Sequence, residues 1–308
     1  MTAISAPQFH DPDEARKYLE RLRWPQGPVC PKCGVIGHAY ETKRPGVYRC
    51  AEKACRKDFT VMVGTLFERS HIPLNKWLMA AFLIAASKKG MSSHQLMRML
   101  GVTYKTAWFL SHRLREAMRD GNFPGPIGGA NKVVEVDETY IGGKDKNRHA
   151  HKRVGVRGGS AKEAVVALVE RDGKVRSRHV ADVNAKTLRP ILEAQIDAAS
   201  NIMTDEASIY PAVTGAFAGH DAVNHGIGEY VRGGGFIHTN TVENYFSILK
   251  RGIYGVYHHV SPAHLKRYVG EFDFRYNSRE ITDSERADAL LLGIEGKRLT
   301  YREVGPRS

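Results

Sequence analysis

The stretch Val133-Val-Glu-Val-Asp137-Glu-Thr-Tyr-Ile141 decides the fold. Its residues alternate between two faces, as a strand requires, and Gly142-Gly143 ends it. Asp137 sits mid-strand beside Val134, Val136 and Ile141 and so lies close to a core. A carboxylate there is costly unless a cation or hydrogen-bond donors compensate it. Outward from this strand, 164–169 and 175–180 read as two more, joined by the Asp-Gly turn of Arg171-Asp-Gly173. The expectation is a three-stranded antiparallel start. Residues 184–199 have helical spacing with Asn184 at the cap position, and the strand Asn201-Ile-Met-Thr204 then delivers Asp205 and Glu206 at its C-terminal end. That end is where α/β sheets place functional groups.

Further on, 208–213 reads as a helix start or turn, 221–225 as a short strand, and 263–277 as a helix that closes the core. Between them lies His238-Thr-Asn-Thr-Val-Glu-Asn-Tyr-Phe-Ser-Ile-Leu-Lys250, an amphipathic helix. Asn240, Glu243, Ser247 and Lys250 fall on its polar side; Val242, Phe246, Leu249 and Ile253 fall on the other. Two readings of Glu243 stand side by side. With Asn240 it forms a capping box that satisfies a backbone N–H; with Asp137 and Asp205 it completes a set of three carboxylates. Such a set can hold two divalent metals roughly 4 Å apart for phosphodiester exchange. Hard oxygen ligands favour Mg2+, with Mn2+ as a substitute. The order of elements is that of an RNase H-like α/β core.

The 308 residues predict two or three folding units, and the formal charge of +13 argues for a polyanionic partner, nucleic acid ahead of membrane. No apolar run approaches the roughly 20 residues of a membrane span. Residues 1–26 lack the apolar core of a signal peptide, so the protein is expected to be intracellular.

All four cysteines lie between Cys30 and Cys55, an arrangement that suits one metal site better than a disulfide framework. Cys30, Cys33, Cys50 and Cys55 read as the ligands of a structural Zn2+ in a zinc ribbon over 26–62. The second pair is spaced by four residues rather than two, which predicts a distorted second knuckle. A redox reading of Cys30-x-x-Cys33 accounts for half of the cysteines. A leading helix within 1–25 precedes the ribbon, and 63–122 follows as a helix-turn-helix unit. There, residues 92–100, the turn Gly101-Val-Thr103 and residues 104–115 make a helix, a glycine-containing turn and a second helix capped by Thr103. Tyr104, Lys105 and Thr106 stand at the start of the second helix, where side chains reach base edges, and Arg113 and Arg115 are assigned to phosphates. A breaker-rich linker, 121–129, separates this half from the α/β domain at 130–285. Lys144 opens a basic loop, Arg251 adds a second basic group for DNA, and 286–308 reads as a basic tail.

As a whole the sequence resembles a DDE transposase of the Merlin-related bacterial insertion-sequence group, with an ISXO-like catalytic domain. The resemblance runs through the cysteine ribbon, the helix-turn-helix, Val-Glu-Val-Asp137-Glu-Thr-Tyr-Ile-Gly-Gly-Lys, Thr-Asp205, and His-Thr-Asn-Thr-Val-Glu243 with Lys250 seven residues on. It continues into Arg251-Gly-Ile-Tyr-Gly-Val-Tyr257-His-His. It implies an RNase H-like domain that cuts and joins DNA at terminal inverted repeats. It assigns metal binding to Asp137, Asp205 and Glu243, and a supporting phosphate contact to Lys250. Some relatives carry Asn at the third position, and Asn240 and Asn244 flank Glu243 here. An ionised oxygen holds a divalent cation more strongly than an amide, which favours Glu243. The resemblance further implies a homo-oligomer on DNA in the bacterial cytoplasm, associated with the nucleoid.

Two other functions fit parts of the chain. A zinc-ribbon regulator with an inactive C-terminal domain has no use for the acid set with Lys250. A metal-dependent nuclease without strand transfer uses the same acids, and terminal inverted repeats beside the gene would separate it from a transposase.

Overall fold

The structure is a computed structural model that describes residues 3–119, 125–143, 162–229 and 231–300. The basic loop opened by Lys144 and the tail beyond Thr300 lie outside the described residues. The chain divides into two compact units, one of residues 1–119 with 280–308 and the other of 120–279. Among the described residues, no helix is long and apolar enough to cross a membrane.

In the first unit, helix α1 (Pro12–Arg23) is capped by Asp11, which accepts from the backbone N–H groups of Asp13 and Glu14. The ribbon follows as an antiparallel sheet of β1 (Ala39–Glu41), β2 (Tyr48–Cys50) and β3 (Asp58–Phe59). Trp24 ties the ribbon to α1, meeting Tyr48 at 5.5 Å and Phe59 at 5.7 Å edge-on. Helix α2 (Leu74–Ala86) is apolar nearly all round and correspondingly buried, at Leu74, Trp77, Leu78 and from Ala80 through Ala85. Helices α3 (Ser93–Leu100) and α4 (Tyr104–Met118) meet at Gly101, whose left-handed backbone (φ 60°, ψ 47°) ends α3. Ser92 and Thr103 cap them through Gln95 N–H and Thr106 N–H.

The last helix, α9 (Asp283–Leu292), corrects the sequence-based boundaries. Those boundaries cut it at residue 286, with its start in the α/β domain and its end in a basic tail. It instead belongs to the first unit and packs on α2. Ala287, Leu290 and Leu291 are buried there, and Thr282 and Glu285 form a complete capping box at its start. A helix as uniformly apolar as α2 needs cover on every side, and α9 supplies one of them.

The second unit contains β4 (Val133–Ile141), β5 (Glu163–Glu170), β6 (Val175–Val180), α5 (Ala185–Gln195), β7 (Asn201–Thr204), α6 (Tyr210–Val213), β8 (Gly219–Ala222), α7 (Asn240–Gly252) and α8 (Pro262–Asn277). The sheet order is β6-β5-β4-β7-β8, antiparallel among β4, β5 and β6 and parallel from β4 to β7 to β8. This is the mixed sheet of an RNase H-like domain, with β4 at its centre. The last strand lies at 219–222 rather than 221–225. Strand alternation sorts the side chains. Val134, Val136, Val166, Leu168 and Ile202 face α5 and α6. Ile141, Val165, Ala167 and Val169 face α7 and α8. Asp137 shares the second face, because it is four residues from Ile141. Helix α8 also secures the edge strand. Asn277 bonds both the N–H and the C=O of Val175, at 2.7 and 2.9 Å, and Asp273 Oδ2 accepts from Ser177 N–H at 2.8 Å.

Candidate active site

Asp137 is half-buried on the central strand, and its carboxyl is pushed up to about 8. Desolvation is the chief cause; the negative charges of Glu138, Asp205 and Glu243 add to it, against one backbone N–H from Glu138 at 2.7 Å. Strand β4, the end of β7 and the start of α7 therefore bring the three sequence-chosen acids within electrostatic reach of one another. Asp205 closes a local turn by accepting from Ala207 N–H at 3.0 Å. Glu243 is exposed on α7 and accepts from Thr239 Oγ1 at 3.1 Å. The three carboxylates do not converge on a common point. Among the described residues, the metal-ligating groups that do converge are the four cysteines. Like charges without a cation between them repel, so separated carboxylates and one raised acid belong together physically.

Glu138 also belongs to this neighbourhood. It lies on the opposite face of β4 from Asp137, and its carboxyl is raised, first by burial and also by Asp205. The Tyr210 hydroxyl donates to it at 2.5 Å, which gives it a structural partner of its own.

The capping-box reading of Glu243 does not match the helix. Helix α7 starts at Asn240 with Thr239 as its N-cap, so Glu243 falls one position too late to reach back. The polar stripe of Asn240, Glu243, Ser247 and Lys250 is outward, with Asn240, Glu243 and Lys250 exposed; Val242, Phe246, Leu249 and Ile253 are buried.

The raised acid has a pH consequence. Between about 4, the ordinary carboxyl value, and about 8, the folded chain holds a proton at Asp137 that the unfolded chain has lost. Stability of the metal-free protein from this group therefore falls as pH rises through that window and levels off above it. A divalent cation bound there competes with the proton below about 8 and relieves the charge above it. The rise in melting temperature on adding Mg2+ should thus be larger at about pH 8 than at about pH 6. Thermal melts at the two pH values check this, and a pH-independent rise would contradict it.

The cysteines fit a structural zinc. Cys30 and Cys55 have Sγ atoms 3.7 Å apart, and Cys33 and Cys50 3.6 Å. All four lie within 4.8 Å of one another. A tetrahedron with zinc–sulfur bonds of about 2.3 Å has edges near these values. Burial pushes the Cys50 thiol up to about 12; at Cys30 it is outweighed by the backbone N–H groups of Cys33 and Lys32, which hold that thiol down to about 7. The wider second knuckle is absorbed by Arg56, whose left-handed backbone (φ 47°) lets 52–56 close with Cys55 N–H on Glu52 O.

Residues 128–277 match the ISXO2-like transposase domain, and residues 10–58 match the transposase zinc-ribbon domain. The chain carries the ISXO2-like transposase domain behind a transposase zinc ribbon. It is also similar to an uncharacterized protein in transposable element ISH50 of Halobacterium salinarum, 29% identical over 297 residues. That alignment covers 91% of this chain and 95% of the relative.

In this chain the residues assigned to DNA from sequence separate into two groups. Tyr104 and Lys105 are exposed at the start of α4 and Thr106 is half-buried beside them. Arg251 is exposed and bonds Ser247 Oγ at 2.7 Å. Arg115, by contrast, is 1% exposed and donates to Ser111 Oγ at 2.9 Å. It is a core residue of the helix pair, and its phosphate assignment is withdrawn. Arg113 is also turned inward: it donates to the Leu299 carbonyl at 3.1 Å and lies 5.0 Å from the Phe109 ring centroid. The C-terminal half of α4 is buried almost all round, so a basic residue there is not a surface charge.

Two residues with no role assigned from sequence join β4 to the start of α7. Glu135, fully buried on β4, holds the first turn of α7, and Arg171 pairs with it at 2.6 Å. The signal for Glu135 was the one that singled out Asp137, a carboxylate inside a Val-rich strand. Arg171 was read only as part of a turn.

Proposed function

We propose that the chain binds the terminal inverted repeats of an insertion sequence and cuts and joins DNA strands in a reaction that requires Mg2+, with Mn2+ as substitute. The observation that carries this reading is the gathering of Asp137, Asp205 and Glu243 from three separate elements, where burial first, and then the negative charges of Glu138, Asp205 and Glu243, push the Asp137 carboxyl up to about 8. A divalent cation compensates such an accumulation of negative charge. Asp137, Asp205 and Glu243 would hold the metal. When bound, it lowers the pKa of an attacking water or hydroxyl and neutralises charge on the leaving oxygen. Lys250, on the same outward stripe of α7 as Glu243, orients a phosphate and adds electrostatic stabilisation. Arg251 beside it contacts the backbone of the DNA. Tyr104, Lys105 and Thr106 at the exposed start of α4 read the repeat, and the zinc ribbon supports that end of the protein. The active form is a homo-oligomer assembled on the two ends of the element.

The test is an assay with a duplex carrying the repeats that flank the gene. Nicked or cut ends and end-to-target joined products should form with Mg2+ and not with EDTA. Cleavage without joining under any condition would support a nuclease in place of a transposase; absence of both would remove the reading.

A further inference from the structure

We propose that Glu135, together with Arg171, is the positioning residue of this reaction, seating the first turn of α7 on β4 and so setting where Glu243 stands relative to Asp137. The proposal rests on the reading of those acids as metal ligands. The first turn of any helix leaves backbone N–H groups without intrahelical partners. The N-cap of α7, Thr239, makes no side-chain cap bond. Glu135, more than a hundred residues earlier in the chain, supplies the cap instead: its Oε2 accepts from Thr241 N–H at 2.8 Å and from Val242 N–H at 3.0 Å. A carboxylate is the group favoured at a helix N-terminus, where the backbone dipoles point their positive end.

The other oxygen gathers the remaining donors. Oε1 accepts from Thr241 Oγ1 at 2.9 Å and from Arg171 Nε at 2.6 Å, and His238 Nδ1 lies 3.2 Å away. Arg171 extends the clamp to the segment that leads into the helix, donating to the carbonyls of Phe236 at 2.6 Å and His238 at 2.8 Å. Its guanidinium also rests 5.5 Å from the Phe236 ring centroid. Such a carboxylate, fully buried with its lone pairs occupied, tolerates no displacement of its donors without loss of charge-assisted bonds.

A second pin lies at the far end. Beyond α7, the Tyr254 hydroxyl is 3.2 Å from both the N–H and the C=O of Gly142, the residue after β4. Between the pins run seven residues of strand, about 23 Å long at the usual rise, and thirteen of helix, about 20 Å. Helix and strand therefore lie side by side in one register. Asp137 is two residues past Glu135 on the same face, and Glu243 immediately follows the clamped Val242. One buried carboxylate thus relates the two acids, much as partners of metal ligands fix ligand orientation elsewhere.

The experiment uses the full chain with Glu135→Gln, which keeps size and removes charge, and Thr241→Val, which removes a single donor and carries the test should Glu135→Gln fail to fold. Two quantities are read: the Mg2+ concentration for half-maximal cleavage of repeat-end duplex, and amide hydrogen exchange at Thr241 and Val242. Glu135→Gln should raise the Mg2+ requirement about 10- to 100-fold, with repeat-end binding retained and faster exchange confined to the first turn of α7. Thr241→Val should shift both in the same direction by less. Unchanged Mg2+ dependence in both variants, or unchanged exchange at the two amides, overturns the proposal. Were the unsubstituted chain to show no Mg2+-dependent cleavage, the ligand reading would fall by itself, and the exchange arm alone would decide whether Glu135 seats α7.

Discussion

Asp137→Asn, Asp205→Asn and Glu243→Gln should each reduce DNA cleavage by about a thousandfold or more while leaving DNA binding in place. Each change keeps the size of the side chain and removes the charge that holds the cation. A metal contributes several kcal/mol of transition-state stabilisation, and about 4 kcal/mol corresponds to that factor. Lys250→Ala should lose only part of the rate, because it adds to chemistry the metal already performs. Glu138→Gln and Glu206→Gln are the controls and should stay active. Glu138 is the demanding one, since it shares the neighbourhood of Asp205 yet is engaged by Tyr210. Single-turnover cleavage of repeat-end duplex, with gel shifts run alongside, reads all six variants. Loss of activity in Glu138→Gln with retention in Glu243→Gln would move the third ligand from α7 to β4. Full activity in Glu243→Gln alone would move it to Asn240 or Asn244.

Removing zinc should unfold the ribbon and leave the RNase H-like unit folded. Three strands of two to three residues cannot hold themselves together in water. A structural zinc contributes about 10–16 kcal/mol to such a module near neutral pH. Cys50 is fully buried among the four thiols, so Cys50→Ser should release the metal as a chelator does. Trp24 reports the event, because its ring packs edge-on against Tyr48 and Phe59 of the ribbon sheet. Its fluorescence should shift to the red on chelation, with amide protection in β4, β5 and β7 unchanged. Stoichiometric zinc retained in Cys50→Ser, or loss of protection throughout the central sheet, would contradict the account.

How far the chain could be read from its sequence depends on how local each signal is. The alternation in 133–141 was enough to place Asp137 on a strand close to the core, and the Asp-Gly turn was enough to pair β5 with β6; that the strand is the central one came only with the sheet order. The helical stripe from Asn240 to Lys250 was also legible, since its polar and apolar sides separate at a spacing of three and four residues. The cap on that helix was not. A local rule offers Asn240 with Glu243, while the structure caps the helix from Glu135, through the N–H groups of Thr241 and Val242, a partner no short window contains. Arg115 failed for a related reason. A basic residue on a helix is read as exposed unless the surrounding stripe is known, and α4 is buried on nearly every side over its second half. Assigning α9 to the first unit required knowing that α2 has an uncovered apolar side.

The most direct test of the central claim is anomalous diffraction from crystals of the full chain with repeat-end DNA and Mn2+. The account predicts Mn2+ density bounded by Asp137, Asp205 and Glu243, with the carboxylates drawn in from their separated positions. Mn2+ held by Glu138 and Asp205 without Glu243, or no site among these carboxylates in a complex competent to cleave, would contradict it.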